Sequence, residues 1–215
     1  MATQDLTDSG ILDKVLKVGE SAPEFSLPDV DGNPVALKGL LAQGPVVISF
    51  YRGQWWPYCN MELEALQETA ADIKAQGASP VVISPQLEKY SKLMVKKLKL
   101  IFPLLRDEDN QLASQFGLTF KLPDDLAELY SKFGIDLVRY NDNDLWSLPM
   151  PGRFVLDHNG TVVIAEANPD YTHRPEPSEI VEVLKKWADN RWPGYTHPAF
   201  LFYKPINRGY RTGKD

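Results

Sequence analysis

The chain has 215 residues, a net charge of −6 and a pI near 5.2, which argues against binding to nucleic acid or to anionic membranes. Its 43% hydrophobic and 24% charged residues are typical of one globular domain with extensions. No apolar run approaches the roughly 20 residues that span a bilayer. The start of the chain lacks the pattern of a signal peptide, and one cysteine excludes an internal disulfide. We therefore expect a cytoplasmic protein.

The elements before the central strand are an amphipathic arm and a hairpin. Residues 1–18 carry apolar side chains at helical spacing and are predicted to form a short helix or arm packed on the domain. The segment 23–37 alternates around Asp31-Gly32, a turn signal that predicts a β-hairpin. The main domain is expected to cover residues 19–189.

A buried strand, a tight loop and an amphipathic helix form the central motif. Residues 46–51 make an apolar run typical of a strand covered on both faces. After the loop, Pro57 is tolerated in a first helical turn, and Cys59 lies in that same turn. Free N–H groups and the helix dipole stabilise an anion there, so the position predicts an acidic thiol, with Arg52 adding positive charge. A small buried apolar side chain is the alternative.

Strands and helices continue to alternate, which predicts an α/β sheet domain. The further predicted elements are a strand from Pro80, a helix over 87–98, a helical insertion over 118–147, a hairpin turning at Asn159-Gly160 and a helix over 177–187. The C-terminal extension, 190–215, is too apolar to be disordered. We expect it to pack on the domain or on a partner subunit.

Motifs for cofactors and metals are missing from the sequence, so we expect no cofactor. It contains neither a dinucleotide-binding glycine motif nor a phosphate-binding loop, and the three histidines lack the spacing of zinc ligands. A cysteine–histidine hydrolase stays possible in principle. Only His173 or His197 could plausibly approach Cys59, and no sequence feature brings either of them there.

Aromatic residues cluster around the loop between the central strand and its helix. Tyr51, Trp55, Trp56 and Tyr58 lie within eight positions of one another. Aromatic side chains beside a buried strand usually belong to a core or a dimer interface, which is the favoured interpretation. The alternative is a pocket for an apolar or aromatic ligand.

Three runs of sequence resemble the peroxiredoxins of the alkyl hydroperoxide reductase and thiol-specific antioxidant (AhpC/TSA) family. They are GESAPEFSLPD from Gly19, VVISFYRGQWWPYCNMEL from Val46 and RFVLDHNG from Arg153. The loop is similar to that of a peroxiredoxin-like branch with the pattern Tyr-Arg-Gly-x-Trp-Cys-Pro-Tyr-Cys, whose first cysteine is Trp56 here. The resemblance covers residues 17–188 and implies a thioredoxin fold with an N-terminal hairpin.

The resemblance implies a role for each matched position. Cys59 corresponds to the cysteine that attacks the peroxide, whereas Trp56 stands where the family places a threonine that hydrogen-bonds the peroxide. Arg52 stands at a family proline, and Pro151 stands at the family arginine. Because Pro151 also resembles the cis-proline of thioredoxins, we expect the bond before it to be cis and next to Cys59.

The candidate site follows from these matches. Strand alternation places Arg153 on the same face as Pro151. The expected catalytic residues are Cys59, Arg52 and Arg153, with both arginines lowering the pKa of the thiol. The expected pocket is lined by Tyr51, Trp55, Trp56, Pro57, Met150 and Pro151.

The leading hypothesis is a one-cysteine peroxidase that reduces hydrogen peroxide or organic hydroperoxides. One thiol cannot complete a disulfide cycle, so the reductant is expected to be an external thiol of the thioredoxin, glutaredoxin or glutathione type. A homodimer is expected. The alternatives are a thioredoxin-fold binding or scaffold protein without redox activity, and an enzyme with non-redox chemistry in an aromatic pocket.

Overall fold

The structure is a computed structural model that describes residues 2–174 and 176–188. Its strands are β1 (Ser26–Pro28), β2 (Pro34–Ala36), β3 (Val46–Phe50), β4 (Ser79–Ser84), β5 (Leu104–Arg106), β6 (Thr119–Lys121), β7 (Ser147–Pro149), β8 (Gly152–Leu156) and β9 (Val162–Ala167). Its helices are α1 (Ala2–Asp8), α2 (Ile11–Lys14), α3 (Leu37–Leu41), α4 (Pro57–Ala75), α5 (Glu88–Leu98), α6 (Gln111–Gln115), α7 (Asp124–Lys132), α8 (Leu137–Asn141) and α9 (Pro177–Ala188).

The central sheet has the strand order β5-β4-β3-β8-β9. Strands β3, β4 and β5 run parallel, whereas β8 is antiparallel to β3 and β9 is antiparallel to β8. The predicted hairpins are confirmed, because β1 pairs with β2 and β8 pairs with β9. The predicted α/β thioredoxin fold is likewise confirmed.

Two hydrophobic cores cover the two faces of this sheet. Alternate residues of β3 divide between them, because successive side chains of a strand point to opposite faces. Ile48 and Phe50 belong to the first core, where Phe50 meets Phe154 edge-on at 6.1 Å between ring centroids. Val47 and Tyr51 belong to the second core, which α4 covers. Cys59 therefore lies on the second face.

The extensions surround this sheet. Ile11 and Val15, from α2 and the residue that follows it, pack into the first core. The predicted insertion, 118–147, holds β6 and the helices α7 and α8, and it ends at the first residue of β7, which pairs with β6. The C-terminal extension, 190–215, lies outside the described residues. Its predicted packing therefore stays a prediction.

Candidate active site

Cys59 is the third residue of helix α4. Trp56 precedes the helix in extended conformation, and Pro57 is its first residue. The main-chain N–H of Cys59 donates to the carbonyl oxygen of Trp56 at 3.0 Å, which closes the first turn. The predicted place of the thiol at a helix start is thus confirmed.

The predicted acidity of this thiol is wrong for the conformation in the structure. The side chain of Cys59 is 0% exposed, and this burial raises the pKa of the thiol. The guanidinium of Arg174 and the main-chain N–H of Arg52 act in the opposite direction, while the Glu62 carboxylate adds to the rise. The cost of desolvating the thiolate exceeds the stabilisation that these contacts and the helix dipole provide, because a buried thiolate loses its hydration. Burial in this conformation therefore favours the protonated thiol.

A titration of the thiolate checks this result. The thiolate ultraviolet absorbance of the native protein, minus that of Cys59→Ser, should develop only above the free-cysteine pKa of about 8.5. The same protein unfolded in urea should titrate near that free value, because unfolding removes the burial. A native midpoint below the urea value would contradict the burial argument.

Arg174 is the charged side chain in direct contact with the thiol. Its Nη2 lies 3.9 Å from Cys59 Sγ, and its Nε donates to the carbonyl oxygen of Tyr171 at 2.8 Å. Its Nη1 pairs with Glu62 Oε2, and both side chains of this pair are nearly buried, at 10% and 7% exposure. The guanidinium is thus held in a fixed orientation beside the sulfur.

Glu62 also contacts residues of the central sheet. It accepts a hydrogen bond from Ser49 Oγ at 3.1 Å, and its Oε1 lies 3.8 Å from Arg153 Nη2. Arg153 also lies 4.0 Å from Glu166, whose pKa is raised by burial. The structure therefore places Arg153 on the Cys59 face of the sheet, as predicted, but beside carboxylates rather than beside the sulfur.

The histidine next to Arg174 points elsewhere. The side chain of His173 is 58% exposed, and its Nδ1 lies 2.8 Å from Asp170 Oδ2. His197 lies outside the described residues. His173, a candidate partner of Cys59 on sequence grounds, thus lies away from the thiol, and Arg174 contacts it instead.

Residues 168–174, which link β9 to α9 and are called the strap here, cover the loop before α4. The ring of Tyr171 meets Trp56 edge-on at 5.0 Å and Tyr58 at 5.7 Å between centroids. Within the strap, the Thr172 hydroxyl and its N–H hold the pKa of Asp170 below its usual range. Arg174, at the end of the strap, contacts Cys59, and Tyr171 of the strap packs on Trp56 in the loop before α4.

The predicted pocket residues divide between this covered loop and the core. Trp56 stacks on Tyr130 at 6.1 Å and 24°, and Trp55 meets Tyr130 at 5.8 Å. Tyr51 is fully buried, its hydroxyl accepts a hydrogen bond from Gln86, and burial raises its pKa. Pro57 is exposed at the helix start. In this closed arrangement the aromatic rings pack on one another.

Met150 and Pro151 lie at the start of β8. Met150 is fully buried in the first core, on the sheet face opposite Cys59, and its N–H donates to the Leu118 carbonyl. The predicted cis bond between Met150 and Pro151 is wrong, because this bond is trans. Pairing of β8 with β3 starts at Gly152, so an extended trans chain leads directly into the sheet.

Three residues of the site were missed by the sequence analysis. Arg174 and Glu62 lie beside the thiol, and Tyr171 packs on Trp56, the residue before α4. Glu62 follows Cys59 by three positions in α4, which is the spacing of neighbours on one helix face, so helical periodicity could have identified it. Arg174 and Tyr171 lie in an aperiodic segment more than 110 positions from Cys59, and no pattern points to them.

A comparison with protein-family models identifies the family of this chain. The model of the AhpC/TSA family matches residues 18–165, which is more than half of the chain and includes β3, Cys59, β8 and the first part of β9. The chain belongs to the AhpC/TSA family. Its peroxiredoxin relatives indicate a peroxidase that uses a peroxide and a thiol reductant, and a single cysteine fits a one-cysteine mechanism.

Two relatives represent the peroxiredoxins that this AhpC/TSA member resembles. It is 33% identical over 183 residues to chloroplastic peroxiredoxin Q of Sedum lineare, which covers 84% of this chain and 82% of that protein. It is 39% identical over 104 residues to peroxiredoxin Bcp of Escherichia coli K12, and the match covers 48% of this chain and 65% of the relative. The chain thus spans slightly less than two thirds of the length of Bcp.

A solved structure supports the AhpC/TSA fold. The crystal structure of peroxidoxin BcpB from Mycobacterium tuberculosis superposes with a TM-score of 0.63 at 24% identity, covering 79% of this chain and 97% of that one. At this identity the match shows the fold alone. Among the described residues, no helix combines the length and the apolar character needed to cross a membrane.

Proposed function

We propose that this protein reduces hydroperoxides through Cys59 and is returned to its starting state by an external thiol. The observation that carries the proposal is the contact between Arg174 Nη2 and Cys59 Sγ at the start of α4. Cys59 lies inside the segment matched by the family model, whereas Arg174 follows that segment. A cation held beside a sulfur at a helix start favours the thiolate, which is the nucleophilic form.

The first step oxidises the sulfur. Cys59 loses its proton to solvent, and the thiolate attacks the terminal oxygen of the hydroperoxide. A sulfur–oxygen bond forms, the oxygen–oxygen bond breaks, and the alkoxide or hydroxide leaves and takes a proton from solvent. The sulfur becomes a sulfenic acid and the peroxide is reduced to an alcohol or to water.

The second step needs a thiol from outside the chain, because Cys59 is the only cysteine in the sequence. That thiol attacks the sulfenic acid, a mixed disulfide forms and water leaves. Another thiol then attacks the disulfide and releases Cys59. Thioredoxin, glutaredoxin and glutathione are the proposed classes of reductant.

In this proposal Arg174 performs the role of the family arginine that Pro151 replaces. Its guanidinium stabilises the thiolate and the negative charge that develops on the peroxide oxygens. The main-chain N–H of Arg52 supports the same thiolate. Arg153 is a positioning residue, since it contacts Glu62, which in turn holds Arg174.

The strap has to move before a peroxide reaches the sulfur, because Cys59 is 0% exposed. Opening lets water reach the sulfur and so removes the desolvation that raises the pKa of Cys59. If Arg174 stays near the sulfur, the attraction between its guanidinium and the thiolate then outweighs the remaining cost of desolvating the thiolate. The proposed cycle therefore starts with a partial opening that keeps the arginine in place.

The cytoplasmic location and the homodimer also belong to the proposal. The acidic composition and the single cysteine favour the cytoplasm. Tyr58 and Met61, at 39% and 52% exposure, leave apolar surface beside the site, which a partner subunit would cover. Light scattering of the full chain distinguishes a dimer from a monomer.

A steady-state assay tests the proposed function. Consumption of hydrogen peroxide and of an alkyl hydroperoxide is followed with thioredoxin and its reductase, with glutaredoxin and glutathione, and with dithiothreitol. The expected result is consumption that requires both the protein and a thiol, together with a mixed disulfide on Cys59 in the mass spectrum. Consumption no faster than that of the thiol alone, with every reductant, would overturn the proposal.

A further inference from the structure

Arg52 is a buried cation enclosed by aromatic rings. It lies two residues after the end of β3 and is 3% exposed. The guanidinium carbon lies 5.5 Å from the ring centroid of Trp56, 5.4 Å from that of Phe120 and 5.2 Å from that of Tyr171. Cation–π contacts of this kind stabilise the charge without providing a hydrogen-bond acceptor.

Three buried side-chain donors of this loop have no acceptor within the described residues. Arg52 Nε, Trp55 Nε1 and Trp56 Nε1 are all buried and unpaired there. No carboxylate in the described part of the chain lies within salt-bridge distance of Arg52, whereas Arg153 and Arg174 both have Glu62. A buried donor without an acceptor is unfavourable, and a buried charge without a counter-charge is more so. An anion with oxygen acceptors would supply both the counter-charge and the acceptor that Arg52 lacks.

The arrangement lies next to the reactive sulfur. The main-chain N–H of Arg52 hydrogen-bonds Cys59, and Trp56 caps the helix that carries the thiol. Trp56, Tyr130 and Tyr171 supply apolar walls around the same loop. A ligand with a negative end and an apolar body would therefore meet the cation and the rings while its other end faces the sulfur.

We propose that Arg52 binds the carboxylate of an organic hydroperoxide, so that the preferred substrates are carboxylated alkyl hydroperoxides. This inference rests on the proposed peroxidase function. A planar guanidinium matches a carboxylate with two parallel hydrogen bonds, and a single cation balances its single charge. The ligand would displace Tyr171 from the guanidinium, which is the same movement of the strap that exposes Cys59.

A binding experiment tests the carboxylate site without any turnover. Hexanoate and neutral hexanamide, which have the same chain length, are titrated into full-length Cys59→Ser protein, and tryptophan fluorescence is recorded. Hexanoate should bind at least about tenfold more tightly, since a charge-assisted pair is involved. Arg52→Met should abolish this preference and Arg52→Lys should reduce it. Arg139→Met, which changes an exposed arginine on α8, should leave it unchanged.

Equal binding of the two ligands, or an unchanged preference in Arg52→Met, would overturn the proposal. If Arg52→Met fails to fold, the preference for hexanoate over hexanamide is measured in Arg52→Lys instead, because this variant keeps a cation at the position. A loss of preference in Arg139→Met would also contradict the assignment, because the effect would then not be local to Arg52.

A kinetic experiment assigns the carboxylate to the substrate rather than to the reductant. The ratio of kcat/KM for a carboxylated alkyl hydroperoxide to that for its methyl ester should fall at least about tenfold in Arg52→Met. An unchanged ratio overturns the substrate assignment, and if Arg52→Met instead loses a preference for mercaptoacetate over mercaptoethanol as reductant, the carboxylate site belongs to the reductant. If no hydroperoxide is consumed, the proposed function fails, and the hexanoate titration alone decides whether Arg52 binds carboxylates.

Discussion

Replacement of Arg174 by methionine is expected to slow the oxidation of Cys59 by hydrogen peroxide by about 100-fold. Removing one preorganised donor from a reaction centre typically lowers the rate by about two to three orders of magnitude. Arg174 Nη2 is 3.9 Å from the sulfur, and its charge lowers the pKa of Cys59. The measurement is single-turnover oxidation of the reduced protein by stopped flow.

The thiolate titration separates this role from a structural one. In Arg174→Met the pKa of Cys59 should rise further above that of the wild type, since burial remains and the cation is lost. Arg174→Lys should restore part of the rate, because an ammonium keeps the charge but not the two contacts of the guanidinium. Arg139→Met serves as the matched control. An unchanged pKa and an unchanged rate in Arg174→Met would remove Arg174 from the mechanism.

Replacement of Tyr171 by alanine is expected to speed the alkylation of Cys59 by roughly 30-fold. The ring makes two aromatic contacts and one cation–π contact, which together stabilise the closed strap by about 2 kcal/mol. Loss of that stabilisation increases the open population by the same factor, provided that opening is rapid. Intact mass spectrometry after timed exposure to iodoacetamide under native conditions gives the rate.

Tyr140→Ala is the matched control for this variant. Tyr140 packs on Tyr90 at 4.7 Å and on Trp55 at 6.4 Å, and it belongs to α8 rather than to the strap. Its loss removes a comparable amount of aromatic contact without uncovering the sulfur. Similar alkylation rates for the two variants and the wild type would show that Tyr171 does not control access.

The fold and the place of the thiol could be predicted from the sequence, because both depend on local pattern. The apolar run of β3, the proline that begins α4 and the turn signals of the two hairpins each act over a few residues. Cys59 was therefore placed correctly in the first turn. The resemblance to peroxiredoxins was carried by these same segments.

The environment of the thiol could not be predicted, because it depends on tertiary contacts. The helix start indicated an acidic thiol, but burial of Cys59 in the core that it shares with Tyr51 and Leu63 removes water from the sulfur. This desolvation reverses the direction of the pKa shift, although the guanidinium of Arg174 opposes it. Arg174 contacts the thiol from 115 positions away. Periodicity and spacing contain no information at that range.

The expected cis bond shows how a resemblance can be extended too far. Pro151 was compared with the cis-proline of thioredoxins on its position alone, yet the bond before it is trans. The isomer of such a bond depends on the turn around it, and here the chain continues from β7 through Met150 and Pro151 directly into β8. Position in a motif did not determine the backbone geometry.

Single-turnover oxidation of Cys59 tests the central claim most directly. The reduced full-length protein is mixed with hydrogen peroxide or an alkyl hydroperoxide, and the sulfenic acid is trapped and located by mass spectrometry. The expected result is one oxidation event at Cys59, absent in Cys59→Ser, far faster than free cysteine and levelling off at high peroxide as strap opening becomes limiting. Oxidation no faster than that of free cysteine at the same pH would contradict it.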